Sequence, residues 1–152
     1  MNLELPNPIK ILLADDDEDD RELFLDLVNK LGKKIELDNV RNGKELLERL
    51  SGKQPQLPDM VFLDLNMPGK DGRQCLKEVR ALAGLKNLPV VICSTSNSNE
   101  DIDYAFSNGA DLYLVKPIKF SKYLEHLSRA ISLYIEKKLP VKERERFVFN
   151  KG

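Results

Sequence analysis

Three apolar runs in this chain end abruptly in charge. Ile11-Leu12-Leu13-Ala14 runs into Asp15-Asp16-Asp17, Val61-Phe62-Leu63 into Asp64, and Tyr113-Leu114-Val115 into Lys116-Pro117. A short apolar run bounded by polar residues reads as a strand buried on both faces of a parallel sheet. In an open α/β sheet, ligands bind beyond the carboxyl ends of the strands. Two strand ends therefore deliver carboxylates to one rim, and a third delivers an ammonium. Carboxylates beside one lysine suit a hard cation together with a phosphoryl group.

The intervening segments carry helical periodicity. Strands are expected over Ile9–Ala14, around Ile35, Leu37 and Val40, and over Asp59–Asp64, Val90–Ser94 and Leu112–Val115. Leu23, Phe24, Leu27, Val28 and Leu31 recur at helical spacing, and Gly32 supplies a stop. After the Asn42-Gly43 turn, Leu46, Leu47 and Leu50 mark a short helix. Cys75, Leu76, Val79 and Leu82 mark a third, and Ile102, Tyr104, Ala105 and Phe106 a fourth that ends at Asn108-Gly109. A fifth starts near Lys119 and carries Phe120, Tyr123, Leu124, Leu127, Ile131, Tyr134 and Ile135. Strands alternating with helices predict an α/β fold, a doubly wound five-stranded parallel sheet with helices on both faces and right-handed crossovers. The domain is expected over residues 8–138. Residues 139–152 form a charged C-terminal arm whose apolar cluster, Phe147-Val148-Phe149, must dock on something.

A chain of 152 residues amounts to one domain. Charged residues make up 32%, yet the net charge is only −1, which argues against a nucleic-acid surface. No apolar run approaches the roughly 18 residues of a membrane helix. Met1-Asn2-Leu3-Glu4-Leu5-Pro6 has neither the basic nor the apolar region of a signal peptide. Cys75 and Cys93 form no CxxC motif, so two reduced thiols in a cytoplasmic setting are expected. Cys93 lies inside a strand pattern and reads as core.

Asp15, Asp16 and Asp64 are like charges in a small space, and their repulsion raises at least one pKa unless a cation intervenes. Oxygen ligands without His or Cys favour Mg²⁺, or Mn²⁺ in its place, over Zn²⁺. Asp17, Asp19 and Asp20 read as helix capping and dipole complementarity. Lys116 at a buried strand end needs a partner, which the carboxylates supply, and a cis Lys116-Pro117 bond would aim it sharply. The Ser94 hydroxyl is placed to donate to a phosphoryl oxygen. His126 lies off the apolar stripe of its helix and reads as a surface residue. Tyr104, Phe106, Tyr123 and Tyr134 exceed one core stripe and suggest a partner or dimer face.

Four pieces in order resemble the receiver domain of two-component response regulators. They are the acidic group after the first strand, Leu-Asp-Leu-Asn-Met-Pro-Gly-Lys-Asp-Gly at 63–72, the hydroxyl at Ser94, and Gly-Ala-Asp-Leu-Tyr-Leu-Val-Lys-Pro at 109–117. The resemblance implies a flavodoxin-like strand order 2-1-3-4-5 and Asp64 as phospho-acceptor. It implies Mg²⁺ held by Asp15, Asp16, Asp64 and the Asn66 carbonyl. Ser94 would be the switch hydroxyl, Tyr113 the switch aromatic and Lys116 the phosphate-binding lysine. The donor would be a histidine kinase or a histidine phosphotransfer protein. The arm is similar in length to that of small response regulators paired with bacterial phytochromes. With no DNA-binding or catalytic output domain in view, a stand-alone receiver is expected. Its output would pass through protein contact, with a possible homodimer built from the fourth helix, fifth strand, fifth helix and arm. The alternatives are a Mg²⁺-dependent haloacid-dehalogenase-like phosphatase, which wants a second Asp where Asn66 stands, and a flavodoxin, which wants a hydroxyl-rich loop where Asp15-Asp16-Asp17 stands.

Overall fold

A computed structural model describes residues 7–32, 34–52, 57–67 and 72–150. Pro68-Gly69-Lys70-Asp71 of the 63–72 stretch, the N-terminal Met1–Pro6, part of the loop before Pro58 and the last two residues of the arm lie outside the described residues.

The strands are β1 (Ile9–Ala14), β2 (Ile35–Val40), β3 (Met60–Leu63), β4 (Val90–Ser94), β5 (Leu112–Val115) and β6 (Val148–Phe149). The helices are α1 (Glu18–Lys30), α2 (Gly43–Ser51), α3 (Gly72–Ala81), α4 (Asn99–Ser107), α5 (Phe120–Ile135) and α6 (Arg144–Phe147). The sheet order is β2-β1-β3-β4-β5-β6, with every pairing parallel. The doubly wound reading therefore holds. The central strands β3 and β4 are buried along their whole length, as expected for strands covered on both faces.

Two apolar cores flank the sheet. One joins Leu12, Ala14, Val61 and Leu63 to Leu46, Leu76, Val79 and Ile102. The other joins Ile11, Leu13, Phe62 and Leu114 to Phe24, Leu27, Leu127 and Ile131. Alternate residues of each strand feed opposite cores, the two-residue period of a pleated strand. Helix starts follow local chemistry. Asp17 caps α1 by accepting from Asp20 N at 3.1 Å, Asn42 caps α2 and Ser98 caps α4. Gly32, at φ 66°, turns the chain out of α1 through the left-handed region.

The sheet has six strands where the sequence suggests five. The sixth comes from the arm, which folds back on its own domain. Phe147 is fully buried and Phe149 nearly so. The surface on which its apolar cluster docks is thus its own domain: β5 and α4 offer it an apolar seat and an unpaired strand edge. His126, read as a surface residue, and Tyr123, read as part of a partner or dimer face, are each only 5% exposed. The arm covers His126, whose ring lies 5.7 Å from that of Phe149. Tyr123 reaches inward, its hydroxyl 3.0 Å from the Cys93 sulfur. Among the described residues, the one cis peptide is Leu139-Pro140, so Lys116-Pro117 is trans.

Candidate functional site

Parallel register decides which residues meet. Ala14 pairs with Leu63, Leu63 with Ile92, and Ser94 with Val115. The residue after Ala14, after Leu63 and after Val115 carries a charged group, and the ladder continues through it. Asp15 N donates to Val40 O at 3.1 Å, Asp64 N to Ala14 O at 3.0 Å and Lys116 N to Ser94 O at 2.8 Å. The acidic and basic side chains are thus carried by backbone that the sheet holds in place.

The two buried carboxylates are held alike. Asp15 Oδ1 accepts from Asp17 N at 3.0 Å, and Asp64 Oδ1 accepts from Asn66 N at 3.0 Å. Their other oxygens both face Lys116 Nζ, at 2.9 Å from Asp15 Oδ2 and 3.4 Å from Asp64 Oδ2. Lys116 also reaches Asp20 Oδ2 at 3.1 Å. Asp16, exposed, completes a cluster in which one ligand oxygen from each of Asp15, Asp16 and Asp64 lies within 4.8 Å of the others.

Burial pushes the Asp64 carboxyl above its ordinary range, and Asp15 adds to this, while Lys116 and the Asn66 N–H oppose it. Repulsion therefore contributes as expected, but desolvation leads. Burial works against the Lys116 charge, yet the Asp64 and Asp15 carboxylates outweigh it and hold the ammonium above the usual lysine range. Burial also pushes the Cys93 thiol up to about 12, so it is a neutral core group at pH 7.

Ser94 lies beside this cluster, fully buried, and its Oγ accepts from Asn66 Nδ2 at 3.3 Å and Ser96 N at 3.2 Å. Its hydroxyl also interacts with that of Tyr113. Tyr113 points into the protein and donates its hydroxyl to Ser96 O at 2.8 Å. Periodicity alone does not single out three further parts. Asp20, read as a capping residue, is also a Lys116 partner. Arg21 donates to Asp15 O at 2.9 Å and braces the acidic turn. Gly72 donates to Leu65 O at 2.9 Å, and a Cβ there would collide with the Asp64 carbonyl and lie 2.5 Å from Leu65 Cα. A glycine closing the Pro68-Gly69 stretch hints at such an approach, but only the fold reveals what it approaches.

The chain matches the family described as the response regulator receiver domain over residues 11–128. It belongs to that family. It is 35% identical over 132 residues to the probable methanogenesis regulatory protein FilR2 of Methanothrix harundinacea, covering 85% of this chain and 83% of that one. It is 29% identical over 135 residues to the response regulator Rcp1 of a Synechocystis species, covering 86% and 92%. The Mn²⁺-bound crystal structure of Rcp1 superposes with a TM-score of 0.76 at 28% identity, covering 88% of this chain and all of that one. The phosphorylated cyanobacterial phytochrome response regulator RcpA superposes with a TM-score of 0.78 at 29% identity, covering 89% and 100%. The receiver fold and a phosphoacceptor role in two-component signalling are thereby established for this chain. A divalent metal suits the oxygen-only donor set.

Proposed function

We propose that Asp64 is the phospho-acceptor and that the rim around it is the phosphotransfer site. The observation that carries this reading is the shared lysine: one ammonium faces the inner oxygens of both Asp15 and Asp64. An Asp64 oxygen attacks the phosphorus of a phosphohistidine on a histidine kinase or phosphotransfer protein. The P–N bond breaks, imidazole leaves with a proton, and an acyl phosphate forms on Asp64. Lys116 stabilises one phosphoryl oxygen as a point charge. Asp15, Asp16, Asp64 and the Asn66 carbonyl would hold Mg²⁺, which supplies charge neutralisation at the phosphoryl oxygens. The chain acts on itself and does not turn over an external substrate. Position 66 carries an amide that donates to Ser94, not the general acid of a haloacid-dehalogenase-like phosphatase.

Ser94 then donates to a phosphoryl oxygen, and Tyr113 holds the inward position. The receiver unit spans 8–138, with 139–152 as its appended arm, and works in the cytoplasm. No helix among the described residues is long and apolar enough to cross a membrane. Leu25 on α1 and Ile118 and Phe120 after β5 are exposed large apolar residues, suited to a phosphodonor protein. Two copies could pair through α4, β5 and α5, but the docked arm must first move or exchange. Sedimentation across a concentration series, with and without beryllofluoride, tests that pairing. Incubation with acetyl phosphate and Mg²⁺ followed by mapping tests the acceptor: wild type gains one phosphoryl group and Asp64→Ala none. Wild-type labelling of Asp64→Ala would refute the assignment.

A further inference from the structure

The arm is fastened to α4, β5 and α5 at once. Arg144 Nε donates to Asp103 Oδ1 of α4 at 2.7 Å. The Phe147 ring meets Phe106 of α4 edge-on, 5.0 Å between centroids, and lies 6.5 Å from the Tyr113 ring of β5. The Phe149 ring lies 4.2 Å beneath the Arg129 guanidinium of α5. Main-chain pairing sets Val148 beside Tyr113 and Phe149 beside Leu114.

Tyr113 therefore has two neighbours with different origins. Its hydroxyl is tied to Ser96, two residues beyond Ser94, and its ring is covered by the arm. Both Tyr113 and Phe147 are fully buried. Side chains occupy discrete rotamers, and a closely packed ring cannot leave its place without displacing what covers it. An outward Tyr113 and a docked Phe147 exclude one another.

We propose that the arm is a lock in cis on Tyr113. Docking of Phe147 holds Tyr113 inward, and a phosphoryl group on Asp64, by engaging Ser94, favours the docked arm in return. The proposal rests on the roles given above to Asp64, Ser94 and Tyr113. Coupling between two sites is reciprocal, so each event must strengthen the other by the same factor. Without the phosphoryl group the arm opens more often and uncovers Phe106 and Phe147 to a partner.

The test pairs beryllofluoride titration in Mg²⁺, followed by the Ser94 and Tyr113 amide resonances, with hydrogen exchange at Val148 and Phe149. The proteins are wild type, Phe147→Ala, Arg144→Ala and Asp64→Ala. Arg144→Ala loosens the arm from the surface and leaves the core intact, so the test does not hang on Phe147→Ala folding well. In wild type, beryllofluoride slows arm exchange by about 5-fold or more, the lower end of ordinary coupling. Phe147→Ala needs a correspondingly higher concentration for half-saturation, and Arg144→Ala shifts in the same direction. Equal half-saturation in wild type and both arm variants, or arm exchange blind to beryllofluoride, overturns the lock while the acceptor reading stands. A wild type that responds no more than Asp64→Ala overturns the acceptor reading and the lock with it.

Discussion

Replacing Lys116 with Met removes the one positive charge that, among the described residues, faces both buried carboxylates. At an effective dielectric of about 20, Lys116 attracts Asp15 at 2.9 Å and Asp64 at 3.4 Å by about 6 and 5 kcal/mol. With ligand oxygens no more than 4.8 Å apart, the two carboxylates repel by at least about 3.5 kcal/mol on the same scale. These gross figures overstate the loss, because the lysine no longer has to be desolvated. Removing one partner of a buried ion pair typically costs about 3–5 kcal/mol. Lys116→Met should therefore be less stable without metal by about 3 kcal/mol, which at a urea slope of about 2 kcal/mol per M lowers the midpoint by about 1.5 M. Mg²⁺ should then stabilise the variant more than wild type, since the cation takes over the charge the lysine supplied. The pH dependence has a definite sign. The Asp64 pKa is already raised on folding by burial, and losing Lys116 raises it further. A carboxyl with a raised folded pKa contributes most to stability below its unfolded value near 3.8 and loses that contribution as pH rises through the folded pKa. The gap between variant and wild type should accordingly shrink as pH falls toward that range. Urea melts with and without Mg²⁺ at several pH values read all three effects. Equal metal-free midpoints, or a smaller Mg²⁺ gain in the variant, would refute the argument.

Asp16→Asn should lose most of the Mg²⁺-dependent rise in melting temperature, which in wild type corresponds to about 2.7 kcal/mol at a hundredfold excess over Kd; equal rises in the two proteins would remove Asp16 from the metal site. Gly72→Ala should slow acetyl phosphate labelling and destabilise by about 2 kcal/mol or more, because its Cβ meets Asp64 and Leu65 backbone that cannot yield; differential scanning calorimetry and labelling rates check both. Arg80 donates to Gly109 O, Leu85 O, Leu88 O and Asp111 Oδ1, so Arg80→Ala should cost about 3 kcal/mol by stranding the buried Asp111, and Asp111→Asn in the same chain should recover part of that in urea melts. Cys75 and Cys93 should resist iodoacetamide in the native protein and react on unfolding, since both are buried.

The site was legible in the sequence because its residues terminate buried strands. Once five apolar runs are taken as parallel strands, Asp15, Asp64, Ser94 and Lys116 must fall on one rim, and the register places them there. The helix ends were legible for a similar reason, since Asp17, Asn42 and Ser98 are capping residues and Gly32 a stop. The errors share a different cause. His126 and Tyr123 were judged by the face of their own helix, while each is buried by contact with something distant in sequence. Tyr123 spans to Cys93 on β4, and His126 is covered by Phe149. The two-residue β6 has too few positions to display any period, and only the free edge of β5 makes it a strand. Asp20 and Arg21 belong to α1 by pattern and to the site by tertiary contact.

The carboxylate rim and the arm stand at the two ends of one line of contacts. Asp64 and Ser94 are linked through Asn66, whose backbone N–H and side-chain amide serve one each. Ser94 is linked through the next turn to the Ser96 carbonyl, which Tyr113 holds, and Tyr113 lies against Phe147. Each link is a hydrogen bond or a packed ring that its neighbours confine, so a change at one end is not absorbed by slack along the way. Spatial continuity does not itself create coupling; a two-state element is needed that both ends bias. Under the proposed lock, Tyr113 is that element, since its inward rotamer carries both the hydroxyl bond to Ser96 and the contact with Phe147. A rim that concentrates like charge around one lysine is then well suited to drive the element, since adding a phosphoryl group changes the charge at the point where the line begins.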